Sequence, residues 1–423
     1  MERDSAGVPA RYRPIALLVG LCCLLAGALA PGSSSADAGW VSFLNSEHKV
    51  DFGHEIEFSL DAQATRAIGE VSILYWLAEE AARNRAPAAF EGGREFRATY
   101  KWQLERGELA PGEGVCYRWA VRSAEGEEAE SPETCFTYED ERFRWESVRQ
   151  GRIEVFHYGA RPLAERVAAA GAKAIARVEE ATGLRLAAPV RVYLYASPRD
   201  MALAIPVRSE LFDAATVTLG MLVDEDAIVL LADQEAPERT LAHELSHALL
   251  AQAVSSPFAE IPRWLDEGLA MYAEGDLPEA NRRALERAAR SGQVLGLRSL
   301  TSYPGKAELV DLFYAEAYSV VSYLIQEEGP ARVHELLALL ARGLPVEEAV
   351  QKALGLSLAE VEQRWLATLG VAARKDETPA VTPPGSVAPE GEKTRPVRGL
   401  PVCSGAFLVL GSLGLLLTRL QLR

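Results

Sequence analysis

The stretch RTLAHELSHALLA, Arg239 to Ala251, holds His243, Glu244 and His247 within five residues. Residues four apart on an α-helix lie about 40° apart around its axis, so the two imidazoles can close on one ion only if this stretch is helical. Glu244 falls about 100° round from His243, beside such an ion, where it can take a proton from a water. Leu241, Leu245, Ala248 and Leu249 occupy the opposite side. The histidines therefore stand off the apolar stripe, and the helix has one face for packing and one for chemistry.

A catalytic zinc site needs a third protein ligand and an open position for water. IPRWLDEGLAMYAEGD offers Glu267, with Trp264 at i−3 and Met271 at i+4. A carboxylate among such neighbours is costly to bury without a partner, and a metal supplies one. Pro262 and Gly275 bracket the segment as helix start and stop signals. For an oxyanion donor, DLFYAEAYSVVSYLI places Tyr314 and Tyr318 on one face, beside a stripe of Phe313, Ala317, Val320 and Leu324. Packing is the other role open to both tyrosines.

H-E-x-x-H, nineteen residues, then a Glu inside W-L-x-E-G-x-x-x-Y-x-E resembles the gluzincin metallopeptidases. Trp264, Leu265, Glu267, Gly268, Tyr272 and Glu274 are similar to the zinc aminopeptidase motif. With the following helices, the stretch from about Ile153 to Leu369 looks like the peptidase MA-like domains of bacterial surface and secreted proteins. The resemblance implies one Zn2+ per chain on His243, His247 and Glu267, Glu244 as general base, and Tyr314 as the tyrosine of its helix. It also implies that the strand from Asp226 to Ala232 pairs with the substrate backbone. Two departures stand out. The G-x-M-E-N segment that grips a free N-terminus is absent. The acid that thermolysin-type enzymes carry four residues after the glutamate ligand is Met271 here, which leaves the partner of His243 unassigned.

The rest of the chain suits an α+β reading. From Trp40 to about Trp145, segments such as HEIEFSLDA, REFRATYKWQL and GVCYRWAVRS are strand-like and separated by Gly, Pro and Asp. Roughly seven such strands suggest an immunoglobulin- or fibronectin-like sandwich. Within it His48 and His54 have no partner at metal spacing and read as surface residues. Beyond Ile153 follow an Ala-rich helix (Arg161 to Thr182), a strand in APVRVYLYAS, a strand pair turning at Asp224–Asp226, and a helical half. A thermolysin-like zincin domain, a small mixed sheet plus helices, is the expected form of this part.

Both ends read as membrane-directed. Arg11 and Arg13 precede an apolar run from Ile15 to Ala30 and a small-residue exit, as in a secretory signal peptide. An uncleaved anchor is the alternative. Leu400 to Thr418 carries no charge and is followed by Arg419 and Arg423, the pattern of a transmembrane helix with a cytoplasmic end. The expected order is a signal peptide (1–38), a β-sandwich (39–146), a metallopeptidase domain (147–373), a Pro-rich linker (374–398), a transmembrane helix (399–418) and a cytoplasmic tail (419–423). The body would then lie outside the cell membrane, at a bacterial surface or in the periplasm. Of five cysteines, Cys116 and Cys135 are the two left in that body. Their midpoint falls at Glu125–Gly126, a turn signal, so hairpin strands would set them opposite one another for a disulfide, with two free thiols as the alternative.

A net charge of −16 with no long basic stripe argues against nucleic acid as partner. The expected function is a membrane-tethered, extracytoplasmic zinc metallopeptidase acting on peptides or proteins, an endopeptidase rather than an exopeptidase. Its rival is a cell-surface binding protein on a zinc-stabilised scaffold without turnover. A structural zinc site has no use for an acid at Glu244.

Overall fold

The computed structural model describes residues 39–371, apart from 160, 208–216, 255 and 257. Alternation sets the first half. In β2 (Glu55–Ala64) the apolar Ile56, Phe58, Leu60 and Ala62 are buried, while Glu57 and Asp61 face outward, the period of two that a strand imposes. Nine strands form two antiparallel sheets. One has the order β1 (Val41–Asp51), β2, β6 (Glu95–Gln103), β5 (Ala89–Gly92). The other runs β4 (Asn84–Pro87), β3 (Ile68–Leu77), β7 (Glu113–Ser123), β8 (Glu128–Glu130), with β9 (Thr134–Tyr138) also paired to β7. Ile73, Trp119 and Val121 of one sheet share a core with Phe58, Leu60 and Ala98 of the other, so the two sheets form a sandwich.

Cys116 and Cys135 are register partners on β7 and β9 and are joined by a disulfide. The bond links neighbouring strands of one sheet; in immunoglobulin domains the corresponding bond crosses between sheets.

The second half is a five-stranded mixed sheet with helices, ordered β10 (Glu146–Gln150), β11 (Ile153–His157), β12 (Val190–Tyr195), β14 (Ala227–Leu231), β13 (Gly220–Asp224). Alternate residues of β12 and β14 face opposite ways. Val192, Leu194, Ile228 and Leu230 pack on helices α1 (Arg161–Thr182) and α3 (Pro237–Ala253), which follows the short α2 (Pro198–Met201). Tyr193, Tyr195, Val229 and Leu231 enter the core of the sandwich. The sandwich thus covers one face of the mixed sheet as the helices cover the other. Polar contacts fasten this junction. Tyr195 Oη donates to the fully buried Asp140 at 3.0 Å, and the Arg191 guanidinium donates to the carbonyl of Gly112. A Cβ on Gly112 would lie 2.2 Å from Tyr193 Oη, so only glycine fits there.

The helical half continues through α4 (Arg263–Glu274), α5 (Glu279–Ser291), α6 (Val310–Tyr323), α7 (Pro330–Ala341), α8 (Val346–Leu354) and α9 (Leu358–Thr368). The last starts at a capping box between Ser357 and Glu360.

Two expectations change here. The strand at 226–232 has no free edge to pair with a substrate backbone: β14 is interior, hydrogen-bonded on both sides, and β13 is the outer strand at that end of the sheet among the described residues. The single-pass membrane placement is also overturned. Among the described residues no helix is long and apolar enough to cross a membrane. The longest, α1, has 22 residues but carries Arg166, Lys173, Arg177 and Glu180 along its length. The apolar segments 15–30 and 400–418, the linker 374–398 and the tail 419–423 lie outside the described residues.

Candidate active site

Helix α3 is buried on all sides from Thr240 to Leu250. Leu241, Leu245, Ala248 and Leu249 belong to the main core, and a Cβ on Gly171 of α1 would touch Leu241 and Leu245 at 3.0 Å, so the two helices cross closely. The helix has Pro237 at its start, where a missing N–H is harmless. Gln234 ties that start to the sheet: its amide donates to the carbonyls of Leu219 and Leu231, and its oxygen accepts from Thr240 Oγ1 at 2.7 Å. These contacts aim His243, Glu244 and His247 at α4.

Helix α4 supplies Glu267, only 1% exposed. Immediately after it, a Cβ on Gly268 would lie 2.4 Å from the carbonyl oxygen of Ala317 in α6. That close crossing of α4 and α6 brings Tyr314 to the site, its ring centroid 6.4 Å from that of His243. Tyr314 is buried; Tyr318, one turn on, is half-buried.

Ligand-capable atoms of His243, His247 and Glu267 all lie within 4.8 Å of one another. His243 Nε2 and Glu267 Oε2 approach to 3.3 Å, and His247 Nε2 stands 4.0 Å from the same oxygen. None of these three atoms has a hydrogen-bond partner, though all are buried. Leaving a polar atom so costs about 1–3 kcal/mol. Two ligands on a tetrahedral ion with bonds of about 2.1 Å sit about 3.4 Å apart, so a divalent ion of zinc's size fits among them.

Each imidazole is backed by a carboxylate, and each carboxylate by an arginine. His243 Nδ1 donates to Glu274 Oε1 at 2.8 Å, and Arg239 donates to Glu274 Oε2 at 2.7 and 2.9 Å. His247 Nδ1 donates to Asp266 Oδ1 at 2.6 Å, and Arg263 Nη1 to Asp266 Oδ2 at 3.4 Å. Such partners orient the rings, leaving Nε2 for the ion. Four carboxylates (Glu244, Asp266, Glu267, Glu274) against two guanidiniums leave a formal charge that a divalent cation cancels. The proton equilibria follow. Burial opposes protonation of His243, but Glu267 and Glu274 outweigh it and hold its pKa well above the usual imidazole value. His247 is raised in the same way, against its own burial, by Asp266 and Glu267. Burial alone would raise Asp266; His247 and Arg263 bring it below the usual range.

Glu244 is fully buried. Its Oε2 accepts the N–H of Leu222, in the outer strand β13, at 3.0 Å, while Oε1 has no hydrogen-bond partner. One oxygen is thereby held and the other is left able to take a proton.

Sequence reasoning singled out His243, Glu244, His247, Glu267 and Tyr314, and the fold brings them together; His48 and His54 lie exposed on the sandwich. It missed Asp266, Arg239, Arg263, Leu222 and Tyr303, whose hydroxyl donates to Glu267 Oε1. Asp266 could have been found as the acid adjoining the ligand. Tyr303 stands outside any α-helix or strand and has no spacing that marks it.

A buried His–His–Glu group beside a carboxylate, on helices against a mixed sheet, is a group that could hold a metal ion. Residues 170–371 match the sequence model of the peptidase MA superfamily. No curated protein matches the chain. Among solved structures, a Br derivative of BhCBM56 shares 11% identity over 24% of this chain and 97% of its own, with a TM-score of 0.17. Purple acid phosphatase PPD1 from yellow lupin seeds shares 11% over 36% of this chain and 29% of its own, with a TM-score of 0.20. Likenesses at that level describe neither the fold nor the function of this protein.

Proposed function

We propose that the protein is a zinc-dependent peptidase of thermolysin-like build, an endopeptidase, acting on peptides or proteins. The observation that carries this reading is the convergence of three buried ligand atoms without a hydrogen-bond partner, on His243, His247 and Glu267, next to the carboxylate of Glu244. Zinc bound there would polarise the scissile carbonyl and bring the pKa of a bound water to about 7.

The chain's own residues do the rest. Glu244 Oε1 takes the proton of the attacking water and returns it to the leaving amine nitrogen, while the Leu222 N–H holds Oε2 and so fixes the direction of transfer. Tyr314 donates to the oxyanion as charge develops on the carbonyl oxygen. The outer strand β13 takes the place expected of residues 226–232 as the strand along which the peptide lies. With no G-x-M-E-N segment in the sequence, nothing of that kind grips a free N-terminus, which favours internal cleavage.

Zinc content and cleavage of a broad peptide library test the reading on wild type, Glu244→Gln and Glu267→Ala. Glu244→Gln keeps zinc and loses ~10²–10⁴-fold in rate, because an amide cannot take the proton; Glu267→Ala loses both. Turnover by Glu244→Gln at the wild-type rate, or a wild type that binds zinc and cleaves nothing, leaves a zinc-stabilised scaffold as the better description.

A further inference from the structure

Glu267 has two carboxylate oxygens with different surroundings. Oε2 faces both imidazoles. Oε1 receives the hydroxyl of Tyr303 and stands 3.9 Å from Arg263 Nη1. Arg263 also lies over the Tyr303 ring, 4.8 Å from its centroid, and donates to Asp266 Oδ2. One stacked arginine–tyrosine pair therefore holds the outward oxygens of two consecutive acids, one the candidate ligand and the other the partner of His247.

Tyr303 is itself held in place from two sides. Its ring centroid packs 5.5 Å from that of Phe313 in α6. The chain leading to it is tied down where the N–H of Leu295 donates to the fully buried Glu316 at 2.9 and 3.1 Å, with Gly296 N–H at 3.4 Å. A carboxylate free to rotate can grip a cation through one oxygen or both; one whose second oxygen is pinned by a donor can use only the first. One-oxygen binding leaves more of the ion's positions open to water and to the substrate carbonyl.

We propose that Tyr303 is a positioning residue that makes Glu267 a one-oxygen ligand. This rests on the metal reading above. Co2+ titrated into the metal-free protein, followed by its d–d absorption and by competition with a chelator, tests it without recourse to turnover. Tyr303→Phe keeps the ring contacts with Arg263 and Phe313 and removes only the hydroxyl. It should bind Co2+ on the order of 10- to 100-fold more weakly, with weaker d–d bands as the coordination number rises. Its metal-free thermal transition should remain cooperative and fall by no more than the loss of one buried hydrogen bond. Val333→Ala, which opens a cavity in the core under α7, leaves the phenol and Arg263 in place and should keep the wild-type bands. Tyr303→Phe with unchanged affinity and bands overturns the proposal, and so do equal band changes in both variants, which mark general loosening of the site. A wild type that takes up neither Co2+ nor Zn2+ overturns the metal reading itself.

Discussion

His243 Nδ1 lies 2.8 Å from Glu274 Oε1, across two helices, with Arg239 on the far oxygen of the same carboxylate. Glu274 stands seven residues beyond Glu267, so one helix carries both the candidate ligand and the group that orients another ligand. The partner that position 271 does not provide is supplied three residues further on, two turns beyond Glu267.

Neutralising that carboxylate should therefore act on the metal without touching it. Glu274→Gln keeps the size and can still accept from Nδ1, but removes the charge that makes the imidazole a stronger donor to the ion. Zinc affinity, measured by chelator competition, should fall by on the order of 10- to 100-fold. Asp266→Asn should do the same through His247. Unchanged affinity in both variants would show that these hydrogen bonds do not tune the site.

The crossing of α4 and α6 makes a second point. Gly268 has no room for a Cβ against the Ala317 carbonyl, 2.4 Å away, or against Val321 Cγ2 at 2.5 Å. Both contacts are on a packed helix that cannot yield cheaply. Gly268→Ala should push α6 outward, destabilise by about 1–3 kcal/mol, and carry Tyr314 away from the site. Expected are a lowered denaturation midpoint and a loss in kcat exceeding any change in zinc content. A variant as stable and as active as wild type would mean that the helices separate freely.

Periodicity explains which of these features could be read in advance. The alternating burial of β2, the turn between β7 and β9 that sets Cys116 against Cys135, and the helical spacing of His243 and His247 are local patterns. Tyr303 reaches Glu267 across 36 residues and Leu222 reaches Glu244 across 22. Such pairings depend on how helices and strands dock, which no short window encodes. The outer position of β13 was hidden for the same reason: β13 and β14 are a hairpin, and the hairpin does not say which of its strands pairs with β12.

The shared core predicts that the sandwich cannot simply be removed. Tyr193, Tyr195, Val229 and Leu231 are each at most 3% exposed because the sandwich covers them. A fragment of residues 147–371 would open this apolar face, with Tyr195 losing Asp140 as well. It should aggregate or unfold at lower denaturant than the longer chain, by light scattering and urea melts. A monomeric fragment of undiminished stability would establish the mixed sheet and its helices as an independent unit.

The same junction carries a charge whose cost depends on pH. Glu113 opens β7 and accepts the Ala110 N–H at 3.0 Å. Burial, with Asp224 of β13 and Glu80 adding repulsion, pushes its pKa from 4.5 up to about 7, against the Ala110 hydrogen bond and Arg191. Folded protein thus holds this proton up to about pH 7, while the unfolded chain releases it near 4.5. Between those values the folded state binds more protons, so stability falls as pH rises, and the loss is complete above pH 7. Gln cannot ionise, and its amide oxygen can still accept from Ala110. Glu113→Gln should match wild type below about pH 4 and exceed it at pH 8 by on the order of 2 kcal/mol. Urea melts at both pH values decide the matter. Equal stability at pH 8 would mean that the ionised carboxylate finds water or Arg191 at no cost, and that the junction is insensitive to pH.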